Sequence, residues 1–298
     1  MELIFLGTTA AVPSSERGHS SIALKYHDEV LLWDCGEGTQ RQLIRSKTSY
    51  MKVKKIFITH YHGDHFLGLP GLFQTMSFAG RSEELMVYGP KGIKNLIGNV
   101  LDLGEYELSF DLRTKRITGN FILKDERCTI RGIKVNHSIP TYGLLFEEIK
   151  GREFLIDKAL KLGIKPGPAY SRLQRGGRVK IDEHWVDPED VLGEIKKGYK
   201  VLYSSDTRPI DGILSSCDGS TLIHDATFDE SLAKNARETY HSTCIDAAEI
   251  AKKGDAKELF LTHISSRYKK DEVLLNQARS IFPRTTVARD LMRVKPLL

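Results

Sequence analysis

The sequence predicts an α/β fold in which two similar sheets pack face to face and one segment projects from the body. Short β-branched or apolar runs alternate with longer amphipathic stretches through both halves of the chain, the pattern of mixed strands and helices. The 298 residues are 40% hydrophobic and 28% charged, an ordinary globular composition with length enough for one large domain or two smaller ones; a single domain over residues 1–298 is expected. The alternation lapses from Gly151 to Gly177, where helical spacing breaks at "KPGP" and ends in "RGG", the mark of an inserted arm.

Strands are expected at Leu3 to Leu6, Ser21 to Tyr26, Val30 to Trp33, Lys55 to Thr59, Leu85 to Tyr88, Thr129 to Val135, Val201 to Ser204, Thr221 to His224, Leu259 to Thr262 and Thr286 to Arg293. Helices are expected at Thr39 to Ser46, His65 to Ser77, Lys91 to Leu101, Cys244 to Lys253 and Asp271 to Ser280, the third opened by "GPKG". The halves share this alternation without a sequence repeat. The longest uncharged stretch, Phe66 to Gly80, is short of a membrane span and carries Gly68, Pro70 and Gly71. The opening "MELIFLGTTAAVPSS" lacks a basic leader, so a cytoplasmic protein with no membrane contact is expected. Cys35, Cys128, Cys217 and Cys244 lie far apart, without a C-x-x-C pair, which fits reduced structural thiols and neither a thiolate zinc site nor a disulfide framework.

The net charge of +5 does not by itself indicate a polyanionic partner, but its distribution does. Lys150 to Lys180 holds nine basic and two acidic residues, a local excess of seven that leaves the remainder at −2. The basicity belongs to the arm, as an anion-binding insertion requires.

Four apolar runs each deliver a polar group at their C-terminal end: "KIFITH" gives His60, "GIKVNH" His137, "KVLYSSD" Asp206 and "ELFLTH" His263. One edge of a sheet assembly collects all four, where rigid strand ends meet variable loops. With His62, Asp64 and His65 from "HYHGDH" the set has seven nitrogen or oxygen donors and no sulfur, suited to Zn²⁺ with Mn²⁺, Co²⁺ or Fe²⁺ as substitutes. Seven exceed what one tetrahedral ion uses, so two metals are expected. A tight loop at Gly63 directs His60 and His62, with His137, to the first, and Asp64 and His65, with His263, to the second. Asp206 bridges, having two oxygens where imidazole has one free lone pair.

With "SSDTR", "LIHDATF", "YHST" and "LTHISSRY" following in that order, "THYHGDHFLGLPGL" resembles ribonuclease Z, the tRNA 3′-processing endonuclease family of the metallo-β-lactamase superfamily, in its short form. The resemblance runs from "ELIFLGT" to the last strand. It implies a four-layer αββα sandwich, two zinc ions per subunit on the ligands above, and a homodimer in which one protomer's arm serves its partner's site. The arm, residues 151–177 with Gly167, Pro168, Arg172 and Arg175, is then the element that grips precursor tRNA.

The implied reaction is removal of the 3′ trailer by metal-activated water, leaving a 3′-hydroxyl on the tRNA and a 5′-phosphate on the trailer. Asp64 orients the nucleophile as well as ligating, and His241 is the candidate general acid, or only a neighbour of a helix N-terminus. Asp225 supports His241, although the family commonly carries the longer Glu there. Arg267, Ser242 and Thr243 are candidate contacts to substrate phosphate. Asp34 either supports the metal ligands or caps the helix that follows. In "AVPSSERGHSS", Pro13 and Arg17 match the family's loop near the discriminator and CCA end, whereas Ser15 and Gly18 replace its Lys and Asn. The competing readings are a small-molecule ester, lactone or phosphodiester hydrolase of the same fold, and a non-catalytic RNA-binding protein whose metals only stabilise it.

Overall fold

The structure is a computed structural model describing residues 1–298, the side chain of Ile195 excepted. Two seven-stranded mixed sheets organise it. Across the first, the order is Arg293–Val294, Glu2–Gly7, Ser21–Tyr26, Glu29–Trp33, Val53–Phe57, Leu85–Gly89 and Leu112–Arg116. Across the second it is Thr285–Val287, Glu258–Thr262, Thr221–Asp225, Lys200–Tyr203, Tyr142–Glu148, Cys128–Lys134 and Ile122–Lys124.

Side chains alternate across each strand, and both sets are apolar. Leu3, Phe5, Leu24, Leu31 and Trp33 of the first sheet meet Ile130, Leu144, Phe146, Val201, Tyr203 and Phe260 of the second in the central core. Their neighbours Ile4, Leu6, Ala23, Val30 and Leu32 face outward, under Leu72, Phe73 and Met76 of the helix Leu69–Phe78 and Ile93, Ile97 and Val100 of Ile93–Leu101. On the other side Leu145, Leu202, Leu222, Leu259 and Leu261 pack against Ala247, Ala248 and Ala251 of Cys244–Lys253 and Leu274 and Ala278 of Glu272–Ile281. Burial on both faces is why these strands read as nearly unbroken apolar runs. The result is the expected four-layer αββα sandwich.

Most expected strands lie within two residues of the observed ones, with three informative departures. Thr286 to Arg293 is not one strand: Thr285–Val287 joins the second sheet, Arg293–Val294 joins the first, and Leu291 at φ 65° turns the chain between them. The helix expected over His65 to Ser77 is two, Gly63–Phe66 and Leu69–Phe78, broken where Gly68 lies against the loop after Trp33. Tyr142–Glu148, Leu112–Arg116 and Ile122–Lys124 of the two sheets went unread.

The arm is a satellite with its own small core of Ala159, Ile164, Leu173, Val186, Val191 and Leu192. Arg152–Phe154 pairs antiparallel with Leu192–Ile195, so the unit that contains residues 151–177 closes at 195. Pro168 opens its helix Pro168–Gln174 at a position where proline's missing N–H costs nothing.

Packing at the head of the first sheet depends on Gly36 and Gly68 more than on Gly63. A Cβ on Gly36 would stand 2.4 Å from the Asp64 carbonyl oxygen, and one on Gly68 2.1 Å from the Gly36 carbonyl oxygen. At Gly63 it would meet only the end of the Leu67 side chain, at 2.8 Å. Gly36→Ala is therefore expected to destabilise the protein by roughly 1–3 kcal/mol and to lower its metal content, through overpacking against backbone that cannot rotate away. Gly63→Ala should cost less, since Leu67 can change rotamer; thermal melts of the two variants settle the ranking, and equal melting temperatures would refute it.

Candidate functional site

Val53–Phe57 and Glu258–Thr262 end beside Lys200–Tyr203 and Cys128–Lys134 at one edge of the sandwich. Tyr142–Glu148 is antiparallel to both of its neighbours, Cys128–Lys134 and Lys200–Tyr203, so those two run the same way and release their ends together. His60, His137, Asp206 and His263 follow these four ends, and the short helix Gly63–Phe66 adds Asp64 and His65.

The structure brings all seven expected donors together. His62 Nδ1 is 3.1 Å from His60 Nε2 and 3.2 Å from His137 Nε2, so three imidazoles converge on one point. Asp206 Oδ2 lies 3.2 Å from His263 Nε2, 3.3 Å from His65 Nε2 and 3.6 Å from His60 Nε2, between that point and a second one faced by Asp64, His65 and His263. Two buried atoms of the cluster, His65 Nε2 and Asp206 Oδ1, have no hydrogen-bond partner. Unpaired buried polar atoms are costly, and coordination to a divalent cation would offset that cost. The nitrogen and oxygen donor set fits such an ion.

The electrostatics agree with this. Burial, aided by facing imidazoles, pushes His60 well below the usual histidine range; burial likewise lowers His62 and His137, so all three offer free lone pairs. Around Asp206 the balance reverses. Burial opposes charge on His65, but Asp206 and Asp34 outweigh it and raise its pKa well above normal, while burial's upward pull on Asp206 loses to His263 and His65. Carboxylate charge is thus favoured at the centre of the cluster, which suits a bound cation.

Outer partners fix the ligands. Asp34 is fully buried: Oδ1 accepts from the Thr59 N–H at 2.8 Å, and Oδ2 lies 2.8 Å from His65 Nδ1 and accepts from the Tyr203 hydroxyl at 3.0 Å. It orients His65; the N-cap of the helix Thr39–Arg45 is Gly38, which removes the capping alternative. Thr59 Oγ1 lies 3.1 Å from His60 Nδ1, Thr227 Oγ1 2.9 Å from His263 Nδ1, and the Tyr240 carbonyl 3.1 Å from His137 Nδ1. Such partners fix the tautomer that points Nε2 inward. Asp34, Ser205, Tyr240 and His263 all adopt left-handed backbone at φ 55–59°, strain concentrated around the site. None of these partners except Asp34 was legible, because each is defined by how strand ends and loops come together, and Tyr203 by a contact from one sheet to the other.

Beside the cluster, His241 Nδ1 lies 2.8 Å from Asp225 Oδ2, so the shorter carboxylate spans the gap. Asp225 is pinned by the Thr207 N–H at 3.1 Å and by the Thr227 N–H at 2.9 Å. Burial pulls the His241 pKa down, but the adjacent Asp225 charge and hydrogen bond prevail and raise it to about 9.

Two expected contacts are corrected. Ser242 and Thr243 are fully buried: the Ser242 hydroxyl donates to the Thr207 carbonyl, and Thr243 caps the helix Cys244–Lys253 in a reciprocal box with Asp246. Neither hydroxyl faces solvent: both are spent on bonds that set the turn carrying His241. Arg267 is exposed, its guanidinium 4.9 Å above the Phe228 ring, which in turn lies 6.4 Å from His241. Pro168, Arg172 and Arg175 line one concave surface of the arm, next to Gly167.

The family model described as Anti-Pycsar protein Apyc1 matches residues 1–156, a span that holds His60, His62, Asp64, His65 and His137 but stops short of Asp206, Asp225, His241 and His263. Ribonuclease Z of Methanothermobacter thermautotrophicus is 46% identical over 296 residues, covering 99% of this chain and 96% of the relative. Among solved structures, human tRNase Z, short form (ELAC1), superposes with a TM-score of 0.72 at 30% identity over 99% of each chain. The metallo-β-lactamase fold protein YhfI from Bacillus subtilis superposes at 0.71 with 18% identity over 98% of each chain, a likeness of fold.

Proposed function

We propose, for a chain that belongs to the ribonuclease Z family and through residues 1–156 to the family described as Anti-Pycsar protein Apyc1, that it is a metal-dependent endoribonuclease removing the 3′ trailer of precursor tRNA. The observation that carries this is the convergence of seven donors around two orphaned buried atoms, in a chain whose likeness to ribonuclease Z continues through the arm.

We assign two zinc ions, one to His60, His62 and His137, one to Asp64, His65 and His263, with Asp206 shared. When bound, they lower the pKa of water and offset charge on the phosphoryl oxygens. The chain's own residues do the rest. Asp64 aligns the attacking water. His241, with Nδ1 held by Asp225, has Nε2 free to give its proton to the departing 3′ oxygen. Arg267 meets a phosphate flanking the cut, and Gly167, Pro168, Arg172 and Arg175 hold the body of the tRNA.

We further infer a homodimer exchanging arms, for which Leu67 and Phe78, 50% and 87% exposed beside the site helices, supply apolar surface; sedimentation at micromolar concentration tests it, and a monomer would refute it. The place of action is the cytoplasm. Among the described residues no helix is long and apolar enough to cross a membrane.

The test is cleavage of an end-labelled precursor tRNA by metal-loaded wild type, Asp64→Ala and a variant with residues 151–195 replaced by a short turn. Wild type should cut after the discriminator, leaving a 3′-hydroxyl, and Asp64→Ala should be inactive. The armless variant should lose about tenfold or more in precursor affinity, as expected when several phosphate contacts go, yet still hydrolyse bis(p-nitrophenyl) phosphate. An uncut precursor, with a small ester or lactone turned over equally with and without the arm, would assign the site to a small-molecule hydrolase instead.

A further inference from the structure

The segment from Ala11 to Gly18 reaches the cluster through its backbone. Ala11 has a φ of 42°, a conformation alanine rarely adopts, and there its N–H donates to Asp64 Oδ2 at 2.9 Å. That oxygen is also the one facing His263 Nε2 at 3.4 Å and His65 Nε2 at 3.7 Å. A carboxylate oxygen has two lone pairs. The amide occupies one and leaves the other aimed at the imidazoles.

Ala11 is held in this unfavourable conformation from two sides: His19 Nε2 lies 3.1 Å from its carbonyl oxygen, and the loop that carries it is anchored at its far end. Arg17 is 8% exposed, and its Nη1 donates to Thr8 Oγ1 and to the Ala288 carbonyl, both at 2.6 Å, while Nη2 pairs with Asp271 at 2.8 Å. The loop is closed on itself by Ser14, whose N–H donates to the Arg17 carbonyl at 2.9 Å and whose hydroxyl accepts from the Arg17 N–H at 3.0 Å. At its near end Thr9 Oγ1 donates to the Val12 carbonyl at 3.0 Å, and the N–H groups of Thr8 and Thr9 share the Gly18 carbonyl at 2.9 and 3.0 Å. A continuous chain of bonds thus runs from Asp271 through Arg17 to Ala11 and Asp64.

We propose that Arg17 is a positioning residue for Asp64: it anchors the loop that presents the Ala11 amide, and that amide fixes the rotation of the Asp64 carboxylate. The proposal rests on the metal-site reading above. It also assigns Arg17 a role other than meeting RNA, since a guanidinium buried and bonded in this way is turned from solvent phosphate. Loss of the anchor lets the loop relax Ala11 to ordinary backbone, the amide withdraws, and the carboxylate turns.

The test measures zinc binding to metal-stripped protein by equilibrium dialysis, with kcat and KM on precursor tRNA, for wild type, Arg17→Ala, Arg17→Lys and Asp271→Asn. Arg81→Ala is the control: Arg81 is an equally buried arginine, 2% exposed, bonded to the carbonyls of Met51, Glu83 and Glu84. Arg17→Ala is expected to weaken one of the two zinc equivalents by about 10- to 100-fold, as loss of a ligand's outer partner does. Its kcat should fall with KM changed by roughly threefold or less. Arg17→Lys should recover part of both, because a single ammonium replaces one of the three bonds. Arg81→Ala should lower the melting temperature and leave zinc affinity and kcat alone.

Unchanged zinc affinity and kcat in Arg17→Ala, with a raised KM, would overturn the proposal and return Arg17 to RNA contact. If Arg17→Ala fails to fold, Asp271→Asn and Arg17→Lys decide the matter by the same zinc and kcat readouts. Wild type that binds no zinc would refute the metal assignment itself, a distinguishable result.

Discussion

Asp206→Asn is expected to reduce trailer cleavage by about a thousandfold or more, the scale on which loss of a central electrostatic group acts. Asp206 is 2% exposed and its Oδ2 lies between both histidine groups, 3.2 Å from His263 Nε2 and 3.6 Å from His60 Nε2. Asparagine keeps the shape and removes the charge. Its amide nitrogen also brings donors to a place already crowded with imidazoles, where an acceptor is needed. The variant should fold, since the surrounding packing is unchanged, but bind fewer metal ions; elemental analysis alongside a cleavage assay reads both. An Asn variant that keeps its metal content and cuts within tenfold of wild type would remove Asp206 from the centre of the site.

His241→Ala is expected to slow cleavage by about 10²- to 10⁴-fold, the usual contribution of a positioned general acid. Asp225→Asn gives the finer test, because the sign of its effect is fixed. His241 acts in its protonated form, which persists below its pKa and is lost as pH rises through it. Asp225 raises that pKa to about 9, so wild-type activity should hold through neutrality and fall only in alkaline solution. Removing the Asp225 charge lowers the pKa, and the descending limb of the pH–rate profile should move to lower pH. Cleavage at pH 8 then suffers more than cleavage at pH 6. A precursor with sulfur in place of the departing 3′ oxygen, a leaving group that needs no proton, should restore His241→Ala to near wild-type rate. If it is cut as slowly as the natural substrate, His241 has another role.

Four of the seven clustered donors were legible because the sequence puts each at the end of an apolar run, and rigid strands translate that position directly into space. His60, His137, Asp206 and His263 needed no knowledge of the pairing order. Two of the strands that went unread fail the simplest pattern for opposite reasons. Tyr142–Glu148 lies inside its sheet, next to the central strand Lys200–Tyr203, where both faces are covered and alternation vanishes, and Gly143 is needed there because a Cβ would stand 2.8 Å from the Tyr203 carbonyl oxygen. Leu112–Arg116, "LRTKR", is a sheet edge guarded by charge, which reads as a loop. Ser242 and Thr243 show a different limit. The motif that resembles the family was visible, but whether its hydroxyls face substrate or a helix end depends on the packing of Cys244–Lys253. Thr59 and Thr227 carry no mark until the strand ends of their own sheets lie side by side, and Tyr203 none until the two sheets meet.

That meeting has a consequence for the order of events during synthesis. The first half of the chain carries His60, His62, Asp64, His65 and His137, yet Asp34 lacks Tyr203 and the cluster lacks Asp206 and His263 until the second sheet is made. His263 in turn follows a strand that pairs with Thr285–Val287, near the end of the sequence. A chain translated only through the first sheet therefore holds part of the cluster and not the whole of it. The cluster is completed all at once, when Asp206 and His263 have emerged and the second sheet has folded around them.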